Sequence, residues 1–287
     1  MRLKQLSEIA LRLAALLAVT GLLVFLLAWL FFKPLNDRAW LPEQTELASA
    51  DITEDSVTLH NVRDWTYDGS TIVSREWRNI TVRPTEIVRA WFILEPFADV
   101  DAIGHTFLSF EFSDGTALAF SVEARREAHE KYSALAGLLP TYELAYQWGT
   151  ERDFITRRIN YLAHPVRMYP LELPEGGAAA LFTSLIEETN DIAAHPRFYH
   201  TLLANCTNAL AHIVNEHYPG TLPFDASWML TGLSDTYLMK EGFIMLRGNE
   251  EETHAAYDLT PSRTEIQEHA FDAPNDFSVY LRTLITR

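Results

Sequence analysis

The chain contains a single cysteine, Cys206, within Asn205-Cys206-Thr207-Asn208-Ala209-Leu210. Asparagine is among the strongest helix N-caps. Ala209, Leu210, Ile213 and Val214 then recur at helical spacing until Pro219-Gly220 stops the pattern. This predicts a helix from Cys206 to about His217 with the thiol in its first turn. There the unpaired backbone N–H groups and the helix dipole favour a thiolate, and the same groups suit a developing oxyanion. A lone cysteine is more often a small buried hydrophobe, so catalysis also requires a base and a group to orient it.

A predicted hairpin offers both. Residues 105–112 and 116–123 are rich in aromatic and β-branched types and flank Ser113-Asp114-Gly115. A two-residue Asp114-Gly115 turn would set His105 opposite Ala124. A three-residue loop with a left-handed Gly115 sets it opposite Glu123. The second register gathers Leu108, Phe110, Phe112, Leu118, Phe120 and Val122 on one face. It leaves His105, Ser109, Glu111, Ser121 and Glu123 on the other, whereas the first mixes the two sets, so the hydrophobic pattern selects the second. Cross-strand Cβ atoms lie about 5 Å apart, close enough for a carboxylate to hold an imidazole in one tautomer. Cys206, His105 and Glu123 thus have the types of a thiol triad: nucleophile, base and orienter.

Further strands are expected over 71–77, 87–94 and 166–173. Helices are expected over 125–135 and 178–190, with shorter pieces over 142–146 and 153–160. The fold class is α+β, an antiparallel sheet packed on helices. Residues 13–32 are 20 consecutive uncharged and mostly apolar positions, spanning roughly 30 Å as a helix, about one bilayer core. No small-x-small cleavage site follows the run. The expected organisation is therefore a cytoplasmic stub and transmembrane anchor over 1–32, a linker over 33–56 and one soluble domain over 57–287. Arg2, Lys4 and Arg12 precede the span and an acidic stretch follows it. The domain is thus expected outside the inner membrane, in the periplasm of a bacterial source, with the N-terminus inside.

With 48% hydrophobic and 22% charged residues in 287, the composition is globular. A net charge of −16 argues against a nucleic-acid partner, and one cysteine permits no internal disulfide or multi-cysteine metal site. The chain lacks G-x-S-x-G, H-E-x-x-H, Walker, G-x-G-x-x-G and C-x-x-C motifs. No metal or organic cofactor is implied.

Gly104-His105-Thr106-Phe107, Ser121-Val122-Glu123-Ala124-Arg125-Arg126-Glu127, Thr150-Glu151-Arg152-Asp153, Tyr199 and Asn205-Cys206-Thr207 together resemble the Lnb N-terminal periplasmic domain family. The resemblance runs from about Arg63 to Gly248. The order His, acid, Cys also resembles circularly permuted members of the NlpC/P60 papain-like superfamily. These resemblances imply a permuted papain-like thiol fold, an acyl-thioester intermediate, Cys206 as nucleophile, His105 as base and Glu123 as third member. They imply lipoprotein N-acyltransferase activity, although such enzymes carry further membrane helices after this domain, and this chain has its apolar run before it.

Arg125 and Arg126 are candidates for an anionic headgroup or for a local ion-pair network, and Tyr142 and Asn205 for further substrate contacts. Glu151, Arg152 and Asp153 read as a structural cluster or a helix start. The leading expectation is a single-pass, membrane-anchored thiol acyltransferase acting on membrane lipid or lipoprotein. The alternatives are a thiol hydrolase of cell-wall peptide or amide bonds, with a polar groove instead of an apolar tunnel, and a non-catalytic anchored binding module.

Overall fold

The structure, a computed structural model, describes residues 2–97 and 100–285. The side chains of Arg2 and Lys4, two of the flanking charges noted above, lie outside that description. The apolar run forms helix α1 (Arg2–Phe31), in which Glu8–Leu27 is long and apolar enough to cross a membrane and has no face buried against the domain.

Among the described residues ten strands follow: β1 (Ser49–Ile52), β2 (Val57–Arg63), β3 (Thr66–Asp68), β4 (Thr71–Ser74), β5 (Trp77–Val82), β6 (Ile87–Pro96), β7 (Gly104–Phe112), β8 (Ala117–Arg125), β9 (Glu143–Thr150) and β10 (Arg167–Pro170). The main sheet runs β1-β2-β9-β8-β7-β6-β10, with β5 also on β2, and β3-β4 form a separate ladder. Its described pairings are antiparallel except for a parallel contact of Arg63 with Gly149, so the sheet is mixed. The helices beyond α1 are α2 (Glu151–Thr156), α3 (Gly177–Ala194), α4 (Cys206–His217), α5 (Ser234–Lys240), α6 (Glu250–Ala256), α7 (Arg263–Asp272) and α8 (Phe277–Ile285). The α+β class is as expected.

The β7–β8 hairpin adopts the register that its apolar pattern selects. Phe107 pairs with Ser121 and Phe110 with Leu118, and continuing that register places His105 opposite Glu123. Gly115 sits at φ 85°, the left-handed region where a Cβ is costly. The Phe112 N–H donates to Thr116 O at 2.8 Å to close the loop. On the apolar face Phe182 of α3 meets Phe110, Phe112 and Trp148 edge-on. The other face is covered as well. Phe154 of α2 packs on Phe107, and Ser109 donates to Glu151 at 2.6 Å. Polar residues of that face are therefore buried in a hydrogen-bonded network and not solvated, as the full burial of Ser109 and Ser121 shows.

Three expectations are corrected. Residues 125–135 form no α-helix: β8 runs on to Arg125, after which the Leu41 N–H donates to Arg126 O and the Ala128 N–H to Ala39 O. Residues 143–146 belong to strand β9, with Tyr142 just before it, and the strand's backbone pairs with β8 from Leu118 to Arg125. In both places a long-range backbone partner outweighs local helix propensity. Residues 33–56, expected as a linker, are folded onto the domain. Trp40 is buried, Pro42–Gln44 form a 3-10 turn, and β1 pairs with β2 while Asn190 of α3 bonds both polar groups of Ala50. The stretch 71–77 divides into β4 and the start of β5, and 153–160 continues α2 into a π-turn at Arg157–Tyr161.

Candidate active site

Helix α4 starts where its sequence places it. Asn205 is the N-cap, its Oδ1 accepting from the Asn208 N–H at 2.7 Å. Its Nδ2 donates to Thr201 O at 2.8 Å and Trp228 O at 3.0 Å, tying the cap to the loops on either side. Cys206 is the first helical residue and is 5% exposed, at the base of a cleft.

His105 reaches toward this thiol from the start of β7, and the two side chains interact electrostatically. Ser121 Oγ donates to Glu123 Oε1 at 2.7 Å and lies 2.7 Å from His105 Nε2. Having given its one proton to the carboxylate, Ser121 is an acceptor toward the ring, so Nε2 carries a proton. Nε2 is also 3.2 Å from Glu123 Oε1. The remaining ring nitrogen, Nδ1, is the one left to face the thiol.

Electrostatics favour an ion pair. Burial pushes the His105 pKa down, but the Glu123 carboxylate and the Cys206 sulfur outweigh it and hold the pKa well above the ordinary imidazole range. Burial likewise pushes the Cys206 thiol up. The His105 imidazolium and hydrogen bonds from the Thr106 backbone and hydroxyl more than offset this and lower it. Glu123, against the burial that would raise it, is held below the usual carboxylate range by His105, Arg158 and Ser121. Each shift has the sign that thiolate–imidazolium chemistry requires.

Behind the array, Arg158 is buried on the π-turn, 3.4 Å from Glu123 and 2.9 Å from Glu95, with its guanidinium 4.1 Å from the centre of the Phe107 ring. Glu95 also bonds His164 at 2.6 Å. Sequence reasoning missed Arg158, Glu95 and Thr106. Ser121 lay on the correct strand face, two residues before Glu123, and that spacing was the signal for its role.

Cys206, His105 and Glu123 are brought together, and Asn205 and Arg126 line the same cleft, of about 610 Å³. Arg125 and Tyr142 do not line it. Arg125 is buried with Nε donating to Gln44 O at 2.9 Å and its guanidinium 4.1 Å from the Trp40 ring centre. The Tyr142 hydroxyl donates to Lys131 O at 2.8 Å. Tyr132 and Tyr199 stand in the cleft wall instead, their hydroxyls 3.4 Å apart. Asp153 and Arg152 are structural, Asp153 taking two 2.8 Å hydrogen bonds from buried Arg63 and Arg152 bonding Asp64 at 2.8 Å. Glu151 leads α2.

A second cavity, of about 190 Å³, lies along α4 beyond Thr207 and is lined by Leu173, Leu181, Leu210, Val214, Leu238 and other apolar side chains. Its wall toward Cys206 includes Thr207, whose hydroxyl meets that of Thr106 at 3.0 Å. Among the described residues no group of three or more His, Cys, Asp or Glu side chains is placed to hold a metal ion. The family model of the Lnb N-terminal periplasmic domain matches residues 74–231, more than half of the chain. No curated protein and no solved structure matches it.

Proposed function

The chain belongs to the Lnb N-terminal periplasmic domain family, and on that premise we propose that it is a membrane-anchored thiol acyltransferase with a permuted papain-like active site. The observation that carries the reading is the Cys206–His105–Ser121–Glu123 array at the first turn of α4.

The Cys206 thiolate attacks an ester carbonyl of a phospholipid or lipidated protein, and the oxyanion forms beside the free N–H groups of the α4 N-terminus. The leaving alcohol takes the proton from His105 Nδ1, giving the acyl-thioester. An amine then attacks the thioester, His105 accepts its proton, and the thiolate leaves. The acceptor we favour is the N-terminal amine of a lipoprotein. Glu123 and Ser121 keep the ring oriented and stabilise its charged form throughout. The apolar cavity alongside α4 suits a hydrocarbon chain, being somewhat larger than engineered apolar cavities of about 150 Å³ that bind benzene.

A second reading, hydrolysis of cell-wall peptide or amide bonds, is favoured by the charged groups that also line the cleft, among them Glu43, Arg63 and Arg157. Incubation of the detergent-purified full chain with phospholipid and a diacylated lipoprotein separates the two. A hydroxylamine-labile mass gain of one acyl chain, absent in Cys206→Ala, supports acyl transfer. A thiol that reacts with iodoacetamide but takes up no acyl group favours the hydrolase, and an unreactive thiol argues against both.

A further inference from the structure

Among the described residues, the exposed large apolar side chains Phe97, Ile103, Tyr132, Leu202 and Leu230 line the Cys206 cleft, and Leu135 and Leu203 stand in loops whose neighbouring residues line it. Leu135 is 78% exposed, Leu203 67% and Leu230 43%. Their loops are joined to one another. The Gly232 N–H donates to Ala102 O at 3.1 Å, the Thr201 N–H to Gly137 O at 2.9 Å, and Asn205 Nδ2 ties Thr201 O to Trp228 O. No residue of 134–139, 201–204 or 229–233 is charged, in a chain of net charge −16. An apolar patch of this kind on an otherwise acidic surface marks an interaction site.

The root of α1 indicates what covers it. Only four residues past Phe31, the Leu35 N–H donates to Glu143 Oε1 at 3.2 Å. Asn36 Nδ2 then bonds Ala193 O at 2.9 Å. Four extended residues reach at most about 14 Å, so the domain is held close to the end of the helix. Glu143 pairs with Phe198, and the Tyr199 N–H donates to Tyr142 O at 2.9 Å, two residues before Thr201 of the apolar loops. Anchor root and cleft mouth are thus linked through one short stretch of backbone. Anionic headgroups repel the acidic remainder of the surface, so these uncharged loops are the face that can approach them.

We propose that the loops bearing Leu135, Leu203 and Leu230 form a rim that seats the cleft mouth in the interfacial layer of the bilayer holding α1. Cys206 then meets an ester or a lipidated terminus without the lipid leaving the membrane. This rests on α1 acting as a membrane anchor, as in the reading above, and not on the thiol chemistry.

The test uses the full chain with Cys206→Ala, carrying one environment-sensitive fluorophore on Leu135→Cys, Leu203→Cys or Leu230→Cys. Leu17→Cys in α1 serves as the anchor control, and Val73→Cys, 57% exposed on β4, as the water-exposed control. Each is reconstituted into vesicles of phosphatidylcholine and phosphatidylglycerol containing brominated lipid. Strong quenching at Leu17 and at the rim positions, at least twofold above that at Val73, is the expected result. Quenching at Leu17 with the rim no different from Val73 would overturn the rim while leaving the anchor intact. An unquenched Leu17 would remove the anchor and the rim together. Rim burial that instead tracks protein concentration in detergent would assign the patch to a second copy and overturn the bilayer seat.

Discussion

Replacing Glu123 with Gln removes one negative charge and leaves a side chain of nearly the same shape. The carboxylate lies 3.2 Å from His105 Nε2, and at an effective dielectric of about 20 such a pair is worth about 5 kcal/mol. The amide oxygen keeps a hydrogen bond, and Glu123 is 22% exposed, so solvent screening reduces the net loss to about 3 kcal/mol. That is roughly two pKa units on the imidazolium. His105 then releases its proton nearer neutrality, and Cys206 loses the cation that holds its own pKa down. The ion-pair form is then disfavoured against the neutral thiol–imidazole form by about a hundredfold, so the thiolate fraction near neutrality should fall by up to that factor, and with it the rate of alkylation by iodoacetamide, since the thiolate is the nucleophile. The assay is intact-mass kinetics of single alkylation between pH 5 and 9 for the original chain and Glu123→Gln. A variant whose pH–rate profile superimposes on the original would refute the ion pair and Glu123 as its support.

Three further outcomes are expected. Arg158→Met removes the closest cation from buried Glu95, 5% exposed, leaving it hydrogen-bonded to His164; it should cost about 3 kcal/mol and lower the thermal midpoint by roughly 6–12 °C in a domain of this size. Gly232→Ala would drive a Cβ into the Asp101 carbonyl oxygen, so it should destabilise by at least about 2 kcal/mol and slow Cys206 alkylation by shifting the loop that leads into His105. Against pH, the ordinary values are 6.5 for His105 and 9.0 for Cys206. In Cys206→Ala, His105 keeps a proton in the folded state that the unfolded chain has lost, so stability should decline above pH 6.5 by up to about 1.4 kcal/mol per pH unit. With the thiol present, its lost proton offsets the one His105 holds, and this decline should begin only near pH 9. Thermal midpoints from pH 6 to 10 that run parallel for the two chains would contradict this.

Local physics made much of the site legible in sequence. Helix α4 begins at Cys206 because Asn205 satisfies a free N–H without a tertiary partner. The β7–β8 register follows from a left-handed Gly115 and a two-residue apolar period, and that register alone brings His105 opposite Glu123. The span of α1 follows from length and hydropathy. What failed were segments whose backbone partners are remote. Residues 125–135 have helical spacing but bond to 39–41, and Tyr142 lies beside β9, whose partner is β8. Local periodicity carries no information about such partners.

The tertiary structure alone decided which side chains face the thiol. Arg125 and Arg126 are adjacent and chemically alike, yet one is buried under Trp40 and the other lines the cleft. Arg158 has no sequence signal, because its place between Glu95 and Glu123 arises only when β6, β8 and the π-turn pack together. Sequence determined the local placement of Cys206, His105 and Glu123 through short-range constraints of capping and strand alternation. Their meeting depended on packing α4 against β7, a long-range contact set by burial of both elements' apolar faces.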